Sequence, residues 1–200
     1  MLTPSALRLA GAATLALLLS ACASTGSLST ATVADYRDSI ELAGRISVNY
    51  EKNGQPESLT GKFTWEQTAA AVNVALANPL GQTLATISVT PTSATLTQTD
   101  KQPRTAADID SLTAQTLGWP LPVSGLRDWL QGYASAAGGK RFAASPASNR
   151  VTTADGWQLV FASWQDDTAA RPQPKLINAT RPATLEAGEL AIRIVIDSRG

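Results

Sequence analysis

The chain contains no histidine, one cysteine and one methionine in its 200 residues. The missing imidazole excludes Ser-His-Asp and Cys-His nucleophilic catalysis, both of which need that base. It also excludes histidine-ligated zinc, haem and non-haem iron sites, and a single thiol cannot take over the ligand set. One Cys forms no intramolecular disulfide. Charge is scarce as well: Asp, Glu, Lys and Arg make up 16% of the chain, against about a quarter in an ordinary soluble domain. Lys and Arg number 16, balanced by 16 Asp and Glu, so the basic excess of a nucleic-acid binder is absent. Small and hydroxylated residues, mainly Ala, Ser and Thr, fill the gap, a composition suited to a β-rich exported protein. The length suits one ordinary domain or two small ones, with a core large enough to fold without disulfide staples.

The first segment reads as an address. Arg8 precedes a short apolar run from Leu9 to Leu19, too short to cross a bilayer and typical of a signal-peptide core. The run ends in Leu19-Ser20-Ala21-Cys22, which resembles the bacterial lipobox and accounts for the lone Cys. In that reading residues 1–21 are removed, the Cys22 thiol carries a diacylglycerol and its new amino group a third acyl chain. One acyl chain holds a protein to a membrane only weakly, whereas two or more anchor it stably. The alternative is an ordinary secretory signal with a chance Cys. Asp after the lipidated Cys marks inner-membrane retention in the lipoproteins this motif resembles; Ala23 implies the outer membrane. Loss of residues 1–21 removes Arg8 and no acidic residue, leaving 15 basic and 16 acidic side chains, a net of −1. Residues 22–32 form the lipidated Cys and a flexible Ser/Thr/Ala tether, and residues 33–200 a single domain. An amphipathic helix from Thr32 would place Val33, Tyr36, Arg37 and Ile40 on one side.

From Leu42 the apolar period is two. Ile46, Val48 and Tyr50 alternate with Arg45, Ser47 and Asn49, and Asn53-Gly54 is a hairpin signal. Leu59, Gly61, Phe63 and Trp65 share the next face, then Val72, Val74 and Leu76. Asn78-Pro79-Leu80-Gly81 breaks the pattern before Ala85, Ile87 and Val89, a turn at Thr90-Pro91, and Ala94 with Leu96. Such a meander carries one apolar face that must be covered by curling, closing or helices. Two helices are expected next, one capped by Thr105, with Ile109, Leu112 and Leu117 on one side and Gly118 as its stop, and one capped by Ser124, with Leu126, Trp129 and Leu130 and a stop at Gly132. Trp157, Leu159 and Phe161 return to strand spacing. Residues 169–184 read as a Pro-rich loop apart from Leu176-Ile177, and Leu190, Ile192, Ile194 and Ile196 form the last strand. The expected fold is mainly β (α+β): a strongly curved antiparallel sheet or unclosed barrel with a helical insert as its lid. Barrels of this size commonly hold a ligand.

Several blocks resemble the LolB family, outer-membrane lipoproteins that receive other lipoproteins from the periplasmic carrier LolA. They are Gly44-Arg45-Ile46-Ser47-Val48, Phe63-Thr64-Trp65, Val74-Ala75-Leu76-Ala77-Asn78-Pro79-Leu80-Gly81, Gly118-Trp119-Pro120-Leu121-Pro122 with Leu126-Arg127-Asp128-Trp129-Leu130-Gln131-Gly132, and Gly156-Trp157-Gln158-Leu159-Val160. They run in order across nearly the whole mature chain. Residues 165–188 and the ending Asp197-Ser198-Arg199-Gly200 depart from the pattern. The resemblance implies a hydrophobic cavity for acyl chains, handover from LolA, incorporation of triacylated lipoproteins among outer-membrane phospholipids, and a monomer with no cofactor and no enzymatic step. Candidate lining residues are Val48, Phe63, Trp65, Val74, Leu76, Ile87, Trp129 and Trp157, each of which also fits plain core packing. Arg45 and Asp128 are candidate rim charges or solvated surface. Leu80, between Pro79 and Gly81, is an odd choice for a turn. It either tucks over the sheet or, as the resemblance implies, forms an exposed tip that dips into the membrane.

At ~0.8 kcal/mol per buried methylene, one long acyl chain in water costs on the order of 10 kcal/mol. A receiver therefore needs an apolar container and no nucleophile, metal or nucleotide. Other readings are an envelope lipoprotein that binds a soluble apolar ligand without transfer, a carboxylate-pair hydrolase using Asp166-Asp167 and Glu186, and a structural envelope lipoprotein, for which neither repeats nor a basic sugar-binding face are visible.

Overall fold

The computed structural model describes residues 28–52, 54–117, 119, 121–184 and 188–200. Two long strands, β1 (Ile40–Lys52) and β2 (Gln55–Gln67), form a hairpin; β3 (Val72–Ala77), β4 (Thr83–Val89), β5 (Ala94–Gln98) and the short β6 (Arg104–Ala106) continue the meander. Two helices follow, α1 (Ile109–Leu117) and α2 (Val123–Trp129). A small pair, β7 (Tyr133–Ser135) and β8 (Arg141–Ala143), precedes β9 (Arg150–Thr152), β10 (Gln158–Trp164), β11 (Pro174–Arg181) and β12 (Leu190–Arg199). The large sheet has the order β6-β5-β4-β3-β2-β1-β12-β11-β10-β9, antiparallel at every junction. Its two edges, β6 and β9, are not neighbours in that order, so the barrel is unclosed.

Alternation in the sequence becomes a one-sided apolar lining. Ile40, Leu42, Ile46 and Val48 of β1 are buried, as are Leu190, Ile192, Ile194 and Ile196 of β12. The register sets Ile46 opposite Ile194 and Val48 opposite Ile192, so each inward side chain meets another across the ladder. Two glycines allow the sheet to bend. Gly44 sits at a register shift between β1 and β12, and a Cβ there would strike the Val195 carbonyl and the Phe63 ring. At Gly61 a Cβ would strike the Ala77 carbonyl. Glycine in a strand marks such a bulge or close backbone approach.

Four local expectations are corrected. Residues 28–37 contain no helix; they form an extended strap, and Ile40 is the first residue of β1. The strap's backbone finds partners far away in sequence: Val33 N–H donates to the Ala144 carbonyl (2.9 Å) and Ala147 N–H to that of Ser29 (3.0 Å). Long-range bonds of this kind replace the i to i−4 ladder that an amphipathic pattern suggests. Thr105 lies in β6, opposite Thr95, and α1 is capped by Asp108, whose carboxylate accepts from the N–H groups of Asp110 (3.1 Å) and Ser111 (3.3 Å). Ser124 lies inside α2, with Pro122 at the N-cap position and no side-chain cap bond; the Ser124 hydroxyl donates instead to the Asp110 carboxylate. Residues 174–181 are a strand of the sheet, between β10 and β12. Prolines bracket this strand rather than interrupt it. Pro174 takes its first position, where a missing N–H is tolerated, and Ile177 and Ala179 are fully buried. Of the expected turn and stop signals, Asn53 and Gly118 lie outside the described residues, whereas Gly54 has a positive φ of 74°.

Candidate functional site

The sheet curves around an interior that the helical segment fills. α1 packs on β5 and β6, and α2 on β7. Leu121, Leu126 and Leu130 meet Ile46, Phe63, Trp65, Val74, Leu76 and Ile194 of the sheet around one cavity. Every lining side chain is apolar. The free space is about 10 Å³, room for about one water and far too little for an acyl chain. The leucines of the helical segment therefore fill the space beside the sheet wall, and the chain as described is closed there. A larger depression of about 470 Å³ lies outside, beside the β1–β2 hairpin, but Glu51, Glu57 and Glu189 border it, a poor surround for a hydrocarbon.

The eight candidate lining residues are all buried, but they are not all together. Phe63, Trp65, Val74 and Leu76 share the cavity. Val48 and Ile87 are packed elsewhere in the core. Trp129 and Trp157 form an edge-to-face pair with centroids 5.5 Å apart, and the Arg181 guanidinium lies 5.5 Å from the Trp157 ring centre. Ile46, Ile194, Leu121, Leu126 and Leu130 line the cavity without having been singled out. Strand alternation and helix spacing already put them on inward faces; nothing local distinguished them from the rest of those faces.

Polar ties hold the helical segment. Thr113, fully buried, donates to the carbonyls of Asp110 (2.8 Å) and Leu121 (3.2 Å), and accepts from Leu121 N–H (3.0 Å). Arg127 donates to the Thr68 carbonyl (2.9 Å), at the foot of β2. Arg199 donates to the carbonyls of Leu130 (3.1 Å) and Pro174 (2.8 Å), and burial together with nearby Arg37 lowers its pKa to about 10. Gln131 bonds Arg37 N–H (2.9 Å) and its carbonyl (3.0 Å), joining the strap to the end of α2. Burial raises the Asp110 carboxyl against the bonds from Ser124 that favour its charged form. Burial likewise raises the Asp128 carboxyl, opposed by Arg141 and Arg127. Asp128 is thus half-buried beside two cations, whereas Arg45 is exposed and paired with Asp197 at 2.8 Å.

The β3–β4 loop is different in kind. Leu80 is 87% exposed while the loop beneath it is tightly bonded. Asn78 N–H donates to the Gln82 carbonyl (2.9 Å) and Gly81 N–H to that of Asn78 (2.9 Å). The Asn78 and Gln82 side chains bond at 2.8 Å, and Gln82 N–H donates to the Asn78 side-chain oxygen (3.0 Å). Gly81 has φ 90°, a conformation that glycine adopts without strain. The loop is a small built platform that presents one large apolar side chain to solvent.

Asp166 does not face the interior; it is exposed, and the Thr168 hydroxyl and N–H lower its pKa. Glu186 lies outside the described residues, as do residues 1–27 with Cys22.

An unclosed antiparallel barrel, with helices packed over an apolar-lined cavity, is an architecture suited to holding apolar ligands by burial. A family model described as outer membrane lipoprotein LolB matches residues 38–198. The outer-membrane lipoprotein LolB of Cupriavidus necator is 38% identical over 184 residues, covering 92% of this chain and 91% of the relative. That of Cupriavidus taiwanensis is 38% identical over 186 residues, covering 90% and 91%. The chain belongs to the LolB family of outer-membrane lipoproteins. A crystal structure of a DUF1329 family protein from Desulfovibrio piger shares the fold at a TM-score of 0.50 and 11% identity, over 82% of this chain and 86% of that one. Family membership makes the chain a lipid-anchored outer-membrane receptor of lipoprotein localisation, facing the periplasm.

Proposed function

We propose that the chain accepts triacylated lipoproteins from LolA, shelters their acyl chains between the sheet and the displaced helical segment, and releases them into the outer-membrane bilayer. The observation that supports this most is the all-apolar seam between Leu121, Leu126 and Leu130 and the sheet wall at Phe63, Trp65, Val74 and Leu76. An acyl chain entering that seam exchanges leucine contacts for methylene contacts, so little apolar burial is lost when the stopper moves. Release needs no chemistry, because the bilayer buries all three chains at once. Cys22 carries the anchor, with residues 1–21 as signal peptide, a tether from 22 to 32 and the receptor domain from 33 to 200. Leu80 is the tip that enters the bilayer during delivery. The protein acts as a monomer, without a cofactor or catalytic residue.

Transfer in vitro tests this directly. An acyl-labelled lipoprotein loaded on LolA is mixed with the chain from Ala23 onward, which lacks the Cys22 anchor. Label is expected to move to this chain; label that stays on LolA overturns the reading.

A further inference from the structure

A second, partly apolar cleft adjoins the seam. It is a cleft of about 340 Å³ lined by the buried Ile46, Leu76 and Trp119, the half-buried Leu59 and the exposed Leu84. Ile46 and Leu76 also line the cavity under the helices, so the two spaces adjoin along one wall. The charged side chains on the cleft are Lys62 and Lys101, both exposed. Neither is in an ion pair among the described residues. Leu84 is 40% exposed on this cleft, and Leu80, at 87%, stands on the loop that leads into its strand. Exposed apolar side chains beside unpaired cations are the signature of a surface that meets lipid with an anionic headgroup. The acylated cysteine of a lipoprotein carries no phosphate, so the cargo gives these lysines nothing to bind; a membrane phospholipid does.

We propose that the cleft is a phospholipid site. The phosphate of an anionic phospholipid sits between Lys62 and Lys101, and the upper methylenes of one acyl chain lie on Leu84 and Leu59 toward Trp119. Occupancy fixes the domain on the bilayer with the 78–82 loop inserted, and it brings a host lipid chain to the wall behind which the delivered chain leaves. The proposal rests on the membrane-facing reading of that loop. Its test contains no lipoprotein and no LolA, so its failure leaves the receipt of lipoproteins untouched.

The test uses the chain from Ala23 onward, which keeps every described strand, helix and core residue, with vesicles of phosphatidylethanolamine with or without phosphatidylglycerol. Binding is expected to favour the phosphatidylglycerol vesicles. Lys62→Gln with Lys101→Gln should weaken that binding about 30-fold, the loss expected for two lysines at an anionic surface, with unchanged thermal unfolding. Lys175→Gln with Arg193→Gln, on the convex groove beside Arg45, should leave it within about twofold. An equal loss from both pairs means general attraction and overturns the site. In a second arm, dihexanoyl phosphatidylglycerol below its micelle concentration is expected to perturb Trp119, and Leu84→Ser to weaken it. Equal binding by dihexanoylglycerol, which lacks the phosphate, or displacement by inorganic phosphate at the same concentration as the lipid, also overturns the proposal.

Discussion

β1 is bonded on both sides, to β2 along its whole length from Ile40 to Lys52 and to β12 from Leu42 to Asn49. Among its described residues, the segment from Ile109 to Gln131 has no such ladder. Its backbone bonds close on itself, and a few side chains tie it to the rest: Arg127 to Thr68, Arg199 to Leu130, and Gln131 to Arg37. Both regions bury the same kind of surface, but only one is built into a cooperative network. Elements with few shared hydrogen bonds open at lower free energy than the strands they cover. The sheet is thus the frame and the helical segment the stopper, and the proposed exchange of its leucines for an acyl chain would draw on that inequality.

Substitutions in the two regions test the difference between them. Trp65→Ala, in the frame, should cost the most, about 3–5 kcal/mol, read as a lowered midpoint in urea unfolding. Leu130→Ala, in the stopper, should cost about 2–3 kcal/mol and raise uptake of a fluorescent fatty-acyl probe by enlarging the seam. If it destabilises without raising uptake, the stopper is a structural core element and the contrast fails. Thr113→Val leaves Leu121 N–H without its buried partner, at about 1–3 kcal/mol. Hydrogen exchange should speed up over 109–131 while the β1–β12 ladder stays protected; uniform acceleration would mean one cooperative unit.

Leu80→Glu should change stability by no more than about 0.5 kcal/mol, because the side chain touches little. Lipoprotein receipt should remain while incorporation into the outer membrane fails. Normal delivery by that variant would remove the loop from the mechanism. The smallest effect concerns pH. Burial raises the Asp110 and Asp128 carboxyls above their unfolded values, so the folded chain holds more protons across the window between those values. The contribution of these two groups to stability is then greatest below the unfolded pKa and lost as pH rises through the raised one, against the opposite trend from Asp108, Asp166 and Asp197, whose carboxyls are held low. Asp110→Asn with Asp128→Asn should flatten that slope in unfolding midpoints measured across the acidic range. An unchanged slope would place the titration elsewhere.

Much of the frame was legible because strand periodicity is local. Alternation marked β1 to β5, β10 and β12, and Leu80 stood out as a large apolar side chain in a turn signature. The stopper was legible as helices but not in its caps: Asp108 rather than Thr105 begins α1, since Thr105 is claimed by pairing with Thr95. The seam was half legible. Phe63, Trp65, Val74 and Leu76 share it, whereas Trp129 and Trp157, as apolar in sequence, pack against each other instead.

An inward apolar face with period two, a helical interruption, a polar loop bearing Leu80 and a chemistry without imidazole can all be read from neighbouring residues along the chain. These depend on residues within a few positions of one another. That residues 174–181 form a strand follows from tertiary pairing: Gln158 to Trp164 on one side and Leu190 to Val195 on the other supply its ladder bonds, with Pro174 at its first position. Only the tertiary structure made an extended strap of residues 28–37, whose partners lie near Gln131 and Ala144. It also decided that the interior is filled, since which leucines of the helical segment reach Phe63 and Trp65 depends on how the sheet curves around them.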